Sequence, residues 1–431
     1  MNLPRWQAST GTPPKETDTV IIGGGFTGMS AAYWLRMLQP NSSLVVLEAR
    51  GLSSGATGRN GGSMSGPVFN PSAEQLKAYP ASEWERVSKV RLENRHLLEQ
   101  LMAQHPGLAD IIHYRRMGSV LAYKTTDEAK AAKLLIERNT KTNRNYGNSS
   151  YLNGRECESR LGAIVGSYTG CIFTSQSFEL WPAQLVWALA DYASARGAQI
   201  CTNTRVLSVT PASSSTGPWK LVDTERGQIK ARRVIYATNA YTAALLPPSM
   251  RARLPVVPTR GQCISTVGAL TPPLAAGRYP SVTANMDRTG DYHTQRPDGS
   301  VVLGGFRWQA GGGSGDVGVT NDMTKDPQVA RSLRQYLVDN FVALRNWTAD
   351  SLPVSSDWTG IMGFSPDAQP QVGPLPGQRA GESGTDYVAI GFTGTCMSRG
   401  FRLGQSLAKI ITGASTYEEE IPKPWRTGRF D

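Results

Sequence analysis

At 431 residues, 39% of them hydrophobic and with 45 Gly and 27 Pro, the chain is longer than one core usually fills and reads as two domains of a loop-rich globule. Five scattered cysteines (Cys157, Cys171, Cys201, Cys263, Cys396), never in a C-x-x-C pair, and four scattered histidines argue against a disulfide framework or a zinc site, so no metal is expected. A formal charge of +11 leaves an anionic cofactor, an acidic substrate or nucleic acid open, while no stretch approaches the roughly 20 apolar residues of a membrane span.

After a polar leader without the build of a signal peptide, Val20 to Ile22 form an apolar strand, Gly28 to Gln39 a helix stopped by Pro40, and Leu44 to Leu47 a second strand. Gly23, Gly25 and Gly28 give G-x-G-x-x-G directly after the first strand. Glycine suits a tight turn where backbone must approach a pyrophosphate and the helix must pack close to the sheet. The helix N-terminus then offers N–H groups to phosphates. Glu48 lies 20 residues beyond Gly28, at the end of the second strand, where a carboxylate can accept from ribose hydroxyls. Strand, helix, second strand and acid together indicate a dinucleotide site. In "GLSSGATGRNGGSMSG" (51–66), small residues let a second loop lie against that cofactor, and Arg59 is expected to offset diphosphate charge.

Residues 82–104 and 126–140 read as helices, and the densest basic stretch, "KAAKLLIERNTKTNRN", as a solvated helix face and its exit loop. From Pro182 a helix with Leu185, Leu189 and Tyr192 on its apolar face ends at Gly197. "AQICTNTRVLSV" then reads as one strand and "ARRVIYATNAYT" as a buried strand entering a loop. The chain next turns β-rich: "PVVPTRGQCIST", then "DYHTQR" and "SVVLGGFRW", the last two joined as a hairpin across Pro297, Asp298 and Gly299. "AGGGSGDVGV" (310–319) reads as a flexible loop. The α/β pattern returns in "YVAIGFTGTCMSRGFRLGQSLAKI", a second strand, glycine turn and helix. The organisation expected is a discontinuous cofactor domain (15–80, 150–250 and 355–431) interrupted by a substrate-binding cap (81–149 and 251–354).

The stretch "ATGRNGG" resembles the second cofactor motif of the D-amino-acid oxidase-like (DAO) superfamily, most of all its γ-glutamylputrescine oxidase-like branch. "VIYATNAYT" and "WTGIMGFSPDAQPQVG" resemble later motifs of the same superfamily, in the expected order. The resemblance implies an α/β chain: a Rossmann-like FAD domain of the glutathione-reductase type with an inserted mixed β-sheet substrate domain. It implies FAD contacts at Gly23, Gly25, Phe26, Thr27, Gly28, Glu48, Ala49 and Arg50, and in the second loop at Ala56, Thr57, Arg59, Asn60, Gly61 and Gly62. Further contacts are implied at Val206, Thr238 and Asn239, and at Gly394, Thr395, Cys396 and Met397. In that pattern the closing helix addresses the flavin's pyrimidine edge, where backbone N–H groups of 394–397 would stabilise charge appearing on reduction.

Departures from the pattern narrow the chemistry. Gly360 stands where sarcosine oxidases attach FAD through cysteine, and "SGATGRNGG" lacks the attachment histidine of dimethylglycine-type enzymes. Met362 stands where D-amino-acid and glycine oxidases clamp a substrate carboxylate with arginine. Relatives often read Gly-His-Gly where this chain has Gly394, Thr395 and Cys396, so Cys396 is either a buried inert thiol or an attachment point. Candidates for catalytic or substrate contact are Tyr292, Arg307, Thr395 and Cys396, with His293 read as core and Trp358 as packing. The expected function is oxidation of an amine C–N bond by hydride transfer to FAD, with oxygen as acceptor, in a cytoplasmic enzyme of small molecules. Oxidation of a C–O or C–C bond stays open, and an oxidase domain acting on nucleic acid is the weakest alternative.

Overall fold

The structure, a computed structural model, describes residue 6 and residues 11–212, 217–268, 281–284, 291–296 and 298–431. Strand β1 (Glu16–Ile22), helix α1 (Phe26–Leu38) and strand β2 (Leu44–Leu47) form the expected unit, with β1 and β2 parallel. The helix begins at Phe26 rather than Gly28, because Gly25 already serves as its N-cap. Side chains alternate across β1. Val20 and Ile22 enter one core and Ile21 the other, which is why the strand reads as an unbroken apolar run.

These strands belong to an eight-stranded sheet. Its main path runs Gln371–Pro374, Tyr387–Ile390, Gly227–Tyr236, β1, β2 and Gln199–Cys201, parallel except for its first pair. The single strand expected over 198–209 is two, Gln199–Cys201 and Val206–Pro211, because the chain turns at Asn203, whose φ is +49°. The second piece instead joins an antiparallel flap through Lys220–Thr224.

Helix α2 (Ala81–Gln104) is a long element packed beside that sheet's helical layer, with Trp84, Val87, Leu98 and Leu101 buried. A second eight-stranded sheet includes the hairpin β3 (Asp291–Gln295) and β4 (Val301–Gly305), and ends in β5 (Val354–Phe364). Tyr292 faces Gly304 and His293 faces Leu303 across the hairpin. Pro297 of its expected turn lies outside the described residues. Two expected boundaries shift. Ser149–Asn153 and Gly170–Thr174 pair with each other inside the second sheet, as does β5 with Val257–Thr266, so breaks at 150 and 355 fall within it. The 310–319 segment is built rather than loose: a 3-10 turn runs over Arg307–Gly313, Arg260 pairs with Asp316 at 2.7 Å, and Val317 bridges Thr259.

Helix α3 (Gly400–Thr412) closes the chain against α1. A methyl group on Gly404 would meet Ser30 Cβ at 2.6 Å, and one on Gly400 would meet the Phe26 ring at 2.7 Å. Glycine at both places sets how closely the two helices lie.

Candidate functional site

One cavity of about 1090 Å³ runs from the first glycine turn, past the second glycine loop, to the β3–β4 hairpin and the turn before α3. It reaches the upper end of the range for small-molecule and cofactor pockets.

At one end the carboxylate of Glu48 is fixed by two backbone donors: Gly24 N to Oε2 at 2.8 Å and Arg50 N to Oε1 at 2.9 Å. Each oxygen keeps a lone pair for a hydroxyl in the cavity. The first glycine turn is shaped by contact. Gly23 has φ +109°, and a methyl on Gly28 would collide with the Gly23 carbonyl oxygen. Gly28 therefore lies behind the turn, outside the cavity lining, and its part is packing. Phe26 N donates to Thr57 Oγ1 at 3.1 Å, tying the second loop to the start of α1. The remaining first-turn N–H groups have no acceptor within the helix.

Within the second loop, Asn60 donates to the carbonyls of Ala56 and Thr57 and accepts from Gly62 N at 2.8 Å, so it holds the loop's shape. Arg59 departs from expectation. It does not line the cavity; it donates to the Ser54 carbonyl at 2.7 Å and the Thr359 carbonyl at 2.6 Å, and pairs with Asp322 at 3.4 Å. Its guanidinium is a brace between loop and β5, not a countercharge for diphosphate. Arg50 does line the cavity, and it too is claimed by Asp322, at 2.8 Å. Gly360 packs on the Arg59 side chain and Trp358 donates to the Arg59 carbonyl at 2.9 Å, so neither faces the cavity.

Gly23, Gly25, Phe26, Thr27, Ala49, Ala56, Thr57, Gly61, Gly62 and Val206 all line this same space. On its far wall Thr238 and Asn239 line it as well, and Asn239 Oδ1 accepts from Gly391 N at 2.9 Å, joining two strand ends.

The other end is formed by Tyr292, Arg307, Gly261, Met362 and Phe364, facing Gly394 to Ser398. Burial raises the Tyr292 phenol well above its ordinary value, so it stays protonated beside Cys263 Sγ at 3.2 Å. The guanidinium of Arg307 lies over the Phe364 ring, 4.7 Å from its centroid. His293 points to the opposite face, 5.0 Å from the Phe341 ring, and burial drops its pKa to about 3. Thr395 N–H is spent on the Phe392 carbonyl at 3.0 Å, so it is not among donors free for a ligand. Cys396 is half-buried in the cavity wall, its thiol pushed up to about 11 by desolvation, and lies 3.2 Å from Thr27 Oγ1. Sequence reasoning missed Arg91, on α2, which also lines the cavity. A signal was present: Arg91 sits seven residues after Trp84, four after Val87 and seven before Leu98, a charge on an apolar stripe.

The family model for FAD dependent oxidoreductases (DAO) matches residues 18–412. The chain belongs to that family. It is 23% identical to γ-glutamylputrescine oxidoreductase of Escherichia coli (strain K12) over 401 residues, 92% of this chain and 84% of that protein. To glycine oxidase of Pseudomonas aeruginosa it is 31% identical over 156 residues, 36% of each chain. Its fold matches the crystal structure of L-proline dehydrogenase from P. horikoshii with a TM-score of 0.72 at 21% identity, covering 94% of this chain and 96% of that one. Glycine oxidase from Geobacillus kaustophilus matches with a TM-score of 0.73 at 18% identity, covering 96% and 99%. This FAD-dependent oxidoreductase has no helix, among the described residues, long and apolar enough to cross a membrane.

The cavity fits FAD. Its volume suffices, a fixed carboxylate stands at one end, and glycines form the walls a flat ring would graze. A methyl on Gly394 would meet nothing nearer than Met362 Sδ at 3.8 Å, across the cavity.

Proposed function

We propose that this FAD-dependent oxidoreductase oxidises the C–N bond of an amine or amino acid, with molecular oxygen as the final acceptor. In this reading Glu48 accepts from ribose hydroxyls, the start of α1 with Gly25 and Thr27 receives the diphosphate, and the turn at 394–398 borders the flavin. The first sheet with its helices carries the cofactor, and the second sheet covers the reacting end. When bound, FAD supplies the two-electron acceptor that takes an amine to an imine.

The observation that carries the C–N reading is the character of the reacting end. Among the described residues its walls present Tyr292, Arg307, Met362, Phe364, Thr395 and Cys396, and no carboxylate, imidazole or lysine. Oxidation of an alcohol needs a base for the departing O–H proton. A neutral amine does not, because its own lone pair stabilises the carbon that loses hydride. Tyr292, held as a phenol, can donate a hydrogen bond and cannot act as a base near neutral pH. Met362 and Phe364 give that end apolar walls. The names of the relatives, an oxidoreductase of γ-glutamylputrescine and oxidases of glycine, agree with this class of substrate.

Anaerobic mixing of the FAD-loaded protein with a panel of primary and secondary amines and of 2-hydroxy acids tests the reading. Amines should bleach the flavin absorption, and admitted oxygen should restore it. Bleaching by hydroxy acids alone would overturn the C–N assignment, and a bleached flavin that stays bleached in air would overturn oxygen as acceptor.

A further inference from the structure

Arginine is charged at any pH a protein survives, so a buried guanidinium needs an acceptor or an anion. Several buried or half-buried arginines here have one. Arg115 pairs with Glu179, Arg402 with Glu420, Arg429 with Asp367, and Arg36 donates to backbone carbonyls. Arg91 and Arg399 differ from these four: neither has a carboxylate within ion-pairing distance among the described residues, and Arg91 Nε and Arg399 Nε and Nη1 are buried without a hydrogen-bond partner. Arg95, Arg233 and Arg334 also hold a buried guanidinium nitrogen without a partner, but of all these only the half-buried Arg91 lines the cavity. Arg399 is 3% exposed, its guanidinium 4.8 Å from the centroid of the Trp425 ring. Burial, and then repulsion from Arg91, lowers its pKa: Arg399 lies near Arg91 but outside the cavity lining.

The cavity wall at Arg91 is rigidly placed. Asn94, one helical turn beyond Arg91, donates to the Met397 carbonyl at 3.3 Å and accepts from Arg402 N at 3.0 Å, fastening α2 to the turn before α3. Arg91 thereby lines the cavity alongside Met397, Ser398, Ser63 and Ser65. Its terminal nitrogens are not among the buried unsatisfied atoms, so they reach the cavity surface. The wall presents a fork of donors without a carboxylate partner, carried on α2 and so on a different element from Met362 on β5.

We propose that Arg91, with Arg399 behind it, forms an anion subsite that receives a carboxylate carried by the substrate. The proposal rests on the amine reading above and narrows it: the substrate is an amine that also bears a carboxylate, seated from α2 rather than from the strand at Met362. The countercharge missing from the protein arrives with the substrate.

The test uses the FAD-loaded protein and unreactive probes, sodium propanoate and benzoate, with propanamide and benzamide as neutral controls, read by perturbation of the flavin absorption spectrum. The carboxylates should bind saturably and the amides should not. Arg91→Gln should weaken carboxylate binding at least roughly tenfold, the loss of a charge-assisted fork, while FAD content stays at the wild-type level. Carboxylate affinity unchanged in Arg91→Gln overturns the proposal. So does a shift in the midpoint potential of bound FAD with carboxylate affinity unchanged, since the charge would then serve the reduced cofactor. If Arg91→Gln loses FAD, Arg91→Lys carries the test: the charge is kept and the fork lost, binding should weaken by about threefold or more, and unchanged affinity overturns the subsite. No probe is turned over. A protein that binds carboxylates yet oxidises only hydroxy acids would thus sink the amine reading and leave the subsite standing.

Discussion

Thr27 and Cys396 meet with Oγ1 and Sγ 3.2 Å apart, joining the first turn of α1 to the turn before α3 at the cavity wall. The thiol is held protonated by burial, with its pKa pushed up to about 11, and a protonated thiol is a poor nucleophile. FAD should therefore be released on denaturation, leaving an intact mass equal to the chain alone. A mass increased by one FAD would show attachment. Cys396→Ala should retain FAD.

Gly28 lies where α1 starts against the end of β1, and a methyl there would collide with the Gly23 carbonyl oxygen. Gly28→Ala should cost about 1–3 kcal/mol, as overpacking does, and reduce FAD content more than stability, because the turn that moves is the one proposed to receive the diphosphate. Thermal unfolding with and without added FAD separates the two effects.

Asp322 holds Arg50 at 2.8 Å and Arg59 at 3.4 Å, and its own backbone carbonyl accepts from Thr359 at 2.8 Å. Asp322→Asn leaves two guanidinium groups without their carboxylate. Arg50 is partly solvated, so the expected loss is modest, roughly 1–2 kcal/mol, with weaker FAD retention because the second glycine loop is no longer braced. Arg59→Lys should reproduce the FAD effect, since an ammonium cannot reach the Ser54 and Thr359 carbonyls and Asp322 together.

Burial lowers the His293 pKa from 6.5 to about 3. The unfolded chain takes up a proton at this residue as pH falls below about 6.5, while the folded chain does not until about 3. The stabilising contribution of the neutral, buried ring is complete above the higher value and is lost progressively between the two. Urea unfolding at pH 7 and pH 4.5 should show a smaller acid-induced loss of stability in His293→Phe than in the wild type; equal losses would refute the assignment.

Much of this was legible because it is local. Gly23, Gly25, Gly28 and Glu48 lie within one βαβ unit, and the spacing that identifies them is the spacing that folds it. The hairpin of Tyr292 and Arg307 is likewise a short-range pattern. The failures are long-range. Nothing near Arg59 reveals that Asp322 will claim its guanidinium, so a basic residue in a cofactor loop reads as a phosphate contact. The breaks at 150 and 355 misplace strands whose partners are chosen by sheet pairing across distant segments. Arg91 was hidden differently: α2 is charged on several faces, Arg95 shares its apolar stripe with Arg91, and which of the two cations meets the cavity depends on neighbours distant in sequence.

The contact between α1 and α3 also sets a timetable. Phe26 leaves the ribosome long before Gly400, and at usual rates of synthesis the interval is roughly twenty to seventy seconds. Through that interval the first glycine turn has no opposite wall, and the methyl-free faces of Gly400 and Gly404 that will seat Phe26 and Ser30 do not yet exist. Capture of the cofactor is thereby expected late, since a nascent chain stalled before α3 would lack one wall of the cavity.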